Sequence, residues 1–283
     1  MRVELFVVPY DSGMRGVRMG AGPERLIEGG LKDRLAAHDH DVAVTTIELP
    51  EKFFNSEISA AFALDRQLAN AVRSACERDS LPIVLSGNCI SSLGTTAGVG
   101  ASRLGVIWFD AHADFNTPDT SPSGFLDGMA LGILTGRCFH QLAASIPGFH
   151  PVADDCVVLV GARHLDDSEV SALGDSDVTR IAASPIETAF DDAMSNLRDR
   201  STDIYLHIDL DVLDSSEAKA NSYAVSGGLS VPQLENAVRR IVRQFRVRGV
   251  ALTAYDPAAD SDGRALEAAM KILVTVTNAV AAV

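Results

Sequence analysis

The sequence has no surplus of positive charge, no long apolar run and no close cysteine pair, and each absence narrows what the chain can be. Its net charge of −14 and isoelectric point near 4.8 argue against nucleic acid or an anionic membrane surface as partner, because both reward basic patches. Acidity of this size also serves solubility alone. No stretch reaches the roughly 18 consecutive apolar residues of a membrane span. The opening residues, MRVELFVVPY, carry too short an apolar run for a secretory signal and no basic segment followed by a cleavage site. They read as a strand. The four cysteines, Cys76, Cys89, Cys138 and Cys156, lack the spacing of a zinc ribbon or a disulfide framework, so a reducing, cytoplasmic setting is the simplest expectation. No internal repeat, low-complexity tract or long linker interrupts the chain, and residues 1–283 are expected to form a single domain.

What is present is an alternation. With 47% hydrophobic residues the chain can build a large core. Short apolar, β-branched runs occur at residues 3–8, 42–49, 82–86, 104–109, 156–160, 204–208 and 249–254. Helical patterns lie between many of them. In residues 57–78, Ile58, Ala61, Phe62, Leu68, Val72 and Cys76 fall on one helical face, and in residues 231–245 Val231, Leu234, Val238, Ile241, Val242 and Phe245 do the same. Two helix starts are signed by a capping box, at Ser184-Pro185-Ile186-Glu187 and at Ser230-Val231-Pro232-Gln233. Continuous apolar strands alternating with helices predict a mainly parallel sheet covered on both faces. In such folds ligands sit at the carboxyl ends of the strands.

Two of those ends are rich in carboxylate. The run LGVIWF stops at Asp110-Ala-His112-Ala-Asp114, and IYLHI stops at Asp209-Leu-Asp211. Strand alternation would put Asp209 and Asp211 on one side, as it would Asp110 and His112 if the extended backbone persists. Either cluster alone reads equally well as a solvated strand terminus. Two of them, emerging at one edge of a parallel sheet, would repel strongly in low dielectric without a cation. Hard carboxylate oxygens with one imidazole suit Mn²⁺ or a similar divalent ion.

FDAHADFN and HIDLDVLD resemble the two metal-binding signatures of the ureohydrolase superfamily, which contains arginase, agmatinase, formimidoylglutamase and their relatives. The resemblance extends over nearly the whole chain, through VGARHLDDSE, SYAVSGGLS and AYDPAAD. It implies a three-layer α/β/α, arginase-like fold with an eight-stranded, mainly parallel sheet, assembled as a homo-oligomer, a trimer or hexamer. It implies a binuclear manganese centre, in which Asp110 and Asp209 bridge two metals, Asp114 completes one, and His112 with Asp211 the other. The activity implied is hydrolysis of a C–N bond in an amidine or guanidine by metal-activated hydroxide.

The chain departs from that pattern at three positions. Where the superfamily places the remaining metal-ligating histidine, LSGNCISS puts Cys89. A thiolate there would favour Zn²⁺ or Fe²⁺, and a merely buried thiol would leave one metal position weak or empty; a cysteine here is also similar to the N-hydroxyarginine-hydrolysing branch. The position of a proton-shuttling histidine holds Asp127, which is either an acid–base group or a helix cap. The glutamate that grips a guanidinium corresponds to Ala254, which makes free arginine a doubtful substrate. Asn116, Ser121, Ser123 and Asp166 match positions that hold the α-carboxylate and α-amino groups of an amino-acid-like small molecule. His164 lies where it could reach the substrate, and His207 reads as a hydrogen-bonded core histidine with a supporting role beside Asp209 left open. The alternative to an enzyme is a catalytically degenerate ureohydrolase-like subunit or binding module. A phosphatase reading of HIDLDVLD leaves DAHAD without a role.

Overall fold

The computed structural model describes residues 1–50, 56–101, 103–184 and 186–283. Eight strands build one sheet: β1 (Arg2–Val8), β2 (Asp41–Thr46), β3 (Leu81–Ser86), β4 (Leu104–Phe109), β5 (Val157–Val160), β6 (Thr179–Ile181), β7 (Asp203–Asp209) and β8 (Arg246–Thr253). Their spatial order is β2-β1-β3-β8-β7-β4-β5-β6, and every neighbouring pair is parallel. A short antiparallel ladder, Tyr10–Asp11 against Met14–Arg15, stands apart from the sheet. β3, β4 and β5 are buried along their whole length, as strands covered on both faces must be, and this is why they read as continuous apolar runs. Each fully buried Val, Leu or Ile there contributes roughly 1.5–3 kcal/mol through apolar area removed from water.

Helices flank the sheet. Glu57–Glu77 packs on Ser92–Val99, and Val231–Val242 on Arg264–Ala281. Ser230 caps its helix as expected, its Oγ accepting from Gln233 N while Gln233 Oε1 accepts from Ser230 N. The other capping signature includes Pro185, which lies outside the described residues. Ile58 does not join the core face expected of it: in the first helical turn it is 39% exposed. The run 42–49 is strand only to Thr46, and the run 249–254 ends at Thr253 because Ala254 has φ +61, off the extended conformation. β6 escapes notice in the sequence because an edge strand of three residues with one buried position gives almost no pattern. No helix among the described residues is long and apolar enough to cross a membrane.

The carboxyl ends of four adjacent strands, β3, β8, β7 and β4, form the centre of one sheet edge. Gly87 opens the loop after β3, and the close approach of the Tyr10 carbonyl, 2.3 Å from where a Cβ would stand, admits only glycine there. Asn88 and Cys89 follow it.

Candidate metal centre

Asp110 leaves β4 and Asp209 ends β7, and both make the same local turn. Asp110 Oδ1 accepts from His112 N at 2.7 Å, and Asp209 Oδ1 accepts from Asp211 N at 2.9 Å. An aspartate bonding the amide two residues on is an Asx turn, and it bends the chain back over its own carboxylate. The expectation that strand alternation aligns these side chains is therefore corrected. The extended backbone does not persist: residues Leu210–Val212 form a 3₁₀ turn, and Asp114 adopts φ +51. The turns, not the pleat, make the groups converge.

Asp110, Asp114, Asp209 and Asp211 are all buried. His112 Nδ1 lies 3.4 Å from both Asp110 Oδ1 and Asp211 Oδ2. Asp110 Oδ2 accepts from Trp108 Nε1 at 3.0 Å, and Asp211 Oδ1 from Ala111 N at 3.2 Å. Asn221 Nδ2 donates to Asp211 Oδ2 at 3.3 Å and to the Ala254 carbonyl at 2.8 Å. Burial opposes charge on His112, yet hydrogen bonding to Asp110 and Asp211 pushes it up to about 12. Burial likewise works against charge on Asp211, but its contact with His112 brings it down to about 2. Burial and the neighbouring carboxylates hold Asp114 and Asp209 well above the usual carboxylate range.

The opposite flank is built differently. Cys89, 1% exposed, donates from Sγ to Asp209 Oδ2 at 3.1 Å and touches Thr253 Oγ1 at 3.1 Å. Burial, with Asp209 and further carboxylates, pushes its thiol well up. Asp114 Oδ2 is buried and has no hydrogen-bond partner among the described residues. An orphaned buried carboxylate oxygen costs about 1–3 kcal/mol or more, a cost that a cation bound beside it would relieve. Among the described residues two groups of side chains bring ligand atoms within 4.8 Å of one another: Asp110, His112 and Asp211, and Cys89, Asp110 and His207. The oxygen- and nitrogen-bearing donor set around Asp110 fits a divalent ion, and such an ion would neutralise a cluster with one imidazole against four carboxylates.

A cavity of about 800 Å³, open to solvent, reaches this edge and is lined by Cys89, His112, Asp114, Asp209 and Asp211. Asn116, Ser121, Ser123, His164 and Asp166 also line it, so the structure brings together the residues singled out in the sequence. Asn116 Nδ2 donates to Asp166 Oδ2 at 2.9 Å. His164 meets His112 edge-on, with ring centroids 5.4 Å apart. Asp127 lines the cavity but does not cap the turn it opens: Oδ1 accepts from Ile90 N, at the start of a neighbouring helical segment, and Oδ2 from Asn88 Nδ2, each at 2.9 Å. Burial, against these two bonds, pushes it up to about 7. Ala254 leaves this wall without a carboxylate.

Sequence reasoning missed the supports. Arg163 donates to the carbonyls of Asp211, Leu213 and Val225 through Nη2, and to Ser226 through Nε. It thereby staples the loop after β7 to residues 225–226. Glu169 accepts from Phe115 N and Asp166 N, each at 3.0 Å. An arginine beside acidic loops carries no mark in sequence that its partners will be carbonyls.

Residues 1–278 match the model of the arginase family. Arginase from Bacillus caldovelox is 28% identical, over 96% of this chain and 96% of its own length. Crystal structures of arginase from Bacillus cereus and from Bacillus subtilis subsp. subtilis str. 168 superpose with TM-scores of 0.88 and 0.89 at 26% and 25% identity, each covering 98% of both chains.

Proposed function

The chain belongs to the arginase family, and on that premise we propose that it is a metal-dependent hydrolase of a C–N bond in an amidino or modified guanidino compound. The observation that carries this reading is the buried carboxylate edge: four aspartates facing one imidazole, with Asp114 Oδ2 unpartnered among the described residues. The proposed ligands are Asp110, His112, Asp209 and Asp211, with Asp114 and Cys89 toward a second ion. Mn²⁺ is the ion the family leads one to expect, and Cys89 makes a softer ion the stronger candidate on its own flank. A divalent ion held there would supply Lewis-acid activation of water.

The chain's own side chains do the rest. Asn116 and Asp166, locked to each other, present fixed polar groups to the cavity, and the Ser121 and Ser123 hydroxyls add donors beside them. That set suits the carboxylate and amino group of an amino-acid-like substrate. Asp127 is anchored by Ile90 N and Asn88 and is suited to hold and release a proton near neutrality. His164 stands against His112 where it can orient the reacting group. Without a carboxylate at Ala254, a buried guanidinium would go unpaired, at a cost of about 3–5 kcal/mol. Free arginine is accordingly a poor substrate in this reading, and a modified guanidino group a better one. We further propose a homo-oligomer, checked by sedimentation velocity.

Elemental analysis of the purified protein, paired with a urea-release screen over arginine, N-hydroxyarginine, agmatine and guanidino acids, tests the function. The expected result is bound divalent metal, with release from a modified guanidino compound exceeding that from arginine. Metal-free protein that hydrolyses none of them, even after metal is supplied, would overturn it.

A further inference from the structure

Beneath the carboxylate edge a line of buried polar side chains crosses the sheet. Tyr205 and His207 stand on β7, Thr253 ends β8, and Cys89 follows β3. Tyr205, His207 and Thr253 are fully buried. The Tyr205 hydroxyl is 2.9 Å from His207 Nδ1, His207 Nε2 is 3.3 Å from Thr253 Oγ1, and Thr253 Oγ1 is 3.1 Å from Cys89 Sγ. The last link is Cys89 Sγ to Asp209 Oδ2.

Donor accounting gives this line a direction. Cys89 Sγ donates to Asp209 Oδ2 and has no second proton, so the Thr253 hydroxyl donates to the sulfur and its oxygen accepts from His207 Nε2. His207 Nδ1 meets the Tyr205 hydroxyl on its other side. Each link then has one donor and one acceptor, and the thiol proton faces Asp209. The Trp108 ring, stacked 3.6 Å from His207 across the β4–β7 register, fixes the imidazole plane. His207 has ligand atoms near those of Cys89 and Asp110. Even so, its protonated Nε2 and the intervening Thr253 hydroxyl make it a support and not a ligand.

A thiolate among carboxylates needs donors aimed at it, and a buried thiol that serves only as packing needs none. Asp114, whose Oδ2 is buried and unpartnered among the described residues, lines the same cavity as Cys89 and offers a second ligand atom on this flank. We propose that Tyr205, His207 and Thr253 form a positioning chain that delivers a hydrogen bond to Cys89 Sγ and holds that sulfur beside Asp209 as a metal ligand, shifting this flank toward Zn²⁺, Co²⁺ or Fe²⁺ relative to Mn²⁺. The inference rests on the metal-centre reading above. Were a divalent ion held there, Cys89 would bind it as thiolate: the S–H pair would stay on sulfur and be shared with the ion, and the proton would pass by way of Asp209 Oδ2 to solvent.

The test strips the full-length protein with a chelator and loads it with Co²⁺ alone. Weak visible bands report any bound cobalt, and an intense near-ultraviolet sulfur-to-cobalt band reports the thiolate. The wild type is expected to show both, and Cys89→Ser only the visible bands. Thr253→Val and His207→Phe are each expected to shift the sulfur band and weaken cobalt binding on this flank about tenfold, with Thr253→Ser restoring both. The ratio of Co²⁺ to Mn²⁺ affinity is expected to fall about tenfold in Cys89→Asp. Tyr205→Phe removes only a hydroxyl and carries the same band-shift test if a larger change unfolds the chain. Visible bands without a sulfur band in the wild type would overturn this proposal while the metal centre stands. No bound cobalt at all would overturn the metal centre itself. An unmoved sulfur band in the Thr253, His207 and Tyr205 variants would remove the positioning chain.

Discussion

The two flanks of the carboxylate edge meet the same physical problem in different ways. On one, His112 sits between Asp110 and Asp211 and compensates their charge before any ion arrives. On the other, Asp209 meets the Cys89 thiol and Asp114 Oδ2 has no partner among the described residues, with burial and neighbouring carboxylates holding both acids well above their usual range. The first flank is tied by its own contacts, and the second has fewer of them. A site of this kind is expected to lose its ions unequally.

Substitutions can break that asymmetry or sharpen it. The largest effect expected is from Asp209→Ala, which removes a carboxylate shared by both flanks. Bound metal should fall below detection by elemental analysis after dialysis, and undiminished stoichiometry would discard the two-cluster site. Next is His112→Asn in metal-stripped protein, where two buried carboxylates lose their imidazole. Urea unfolding should show a loss of about 3–5 kcal/mol, against about 1 kcal/mol for Cys89→Ser on the other flank; equal losses would erase the asymmetry. Restoring metal at 100 times its dissociation constant should return about 2.7 kcal/mol to the wild type, read as a rise in melting temperature. The smallest effect is from Ser230→Ala, whose hydroxyl bonds Gln233 N and none of the site's carboxylates. It should cost about 1 kcal/mol of stability through the lost helix cap and leave metal content unchanged, which separates folding losses from losses at the centre.

Much of this was legible in the sequence, in places for a different reason. Asp110, His112, Asp209 and Asp211 were expected together because two apolar strands of one parallel sheet end in acid, and the structure does place them at one edge. Strand alternation was nevertheless the wrong cause, since the two Asx turns align them. Cys89 could be placed beside the cluster from LSGNCISS, yet its bond to Asp209 could not. Tyr205, His207 and Thr253 could not be joined in advance either, because their contact depends on β8 lying between β3 and β7. Sheet order is a tertiary fact that local pattern does not carry. Arg163 and Asn221 were missed for the same reason, as their partners are backbone carbonyls and side chains distant in sequence.

The position of β8 has a consequence for how the molecule comes into being. Among the described strands it comes last in chain order, yet it lies at the sheet's centre and joins β2-β1-β3 to β7-β4-β5-β6. Until residue 253 has emerged, the growing chain holds two half-sheets with open edges, and Cys89 cannot meet Asp209. Long-range parallel pairing of this kind closes slowly and leaves strand edges exposed while it waits. A fragment ending before β8 would have every one of the aspartates and no centre.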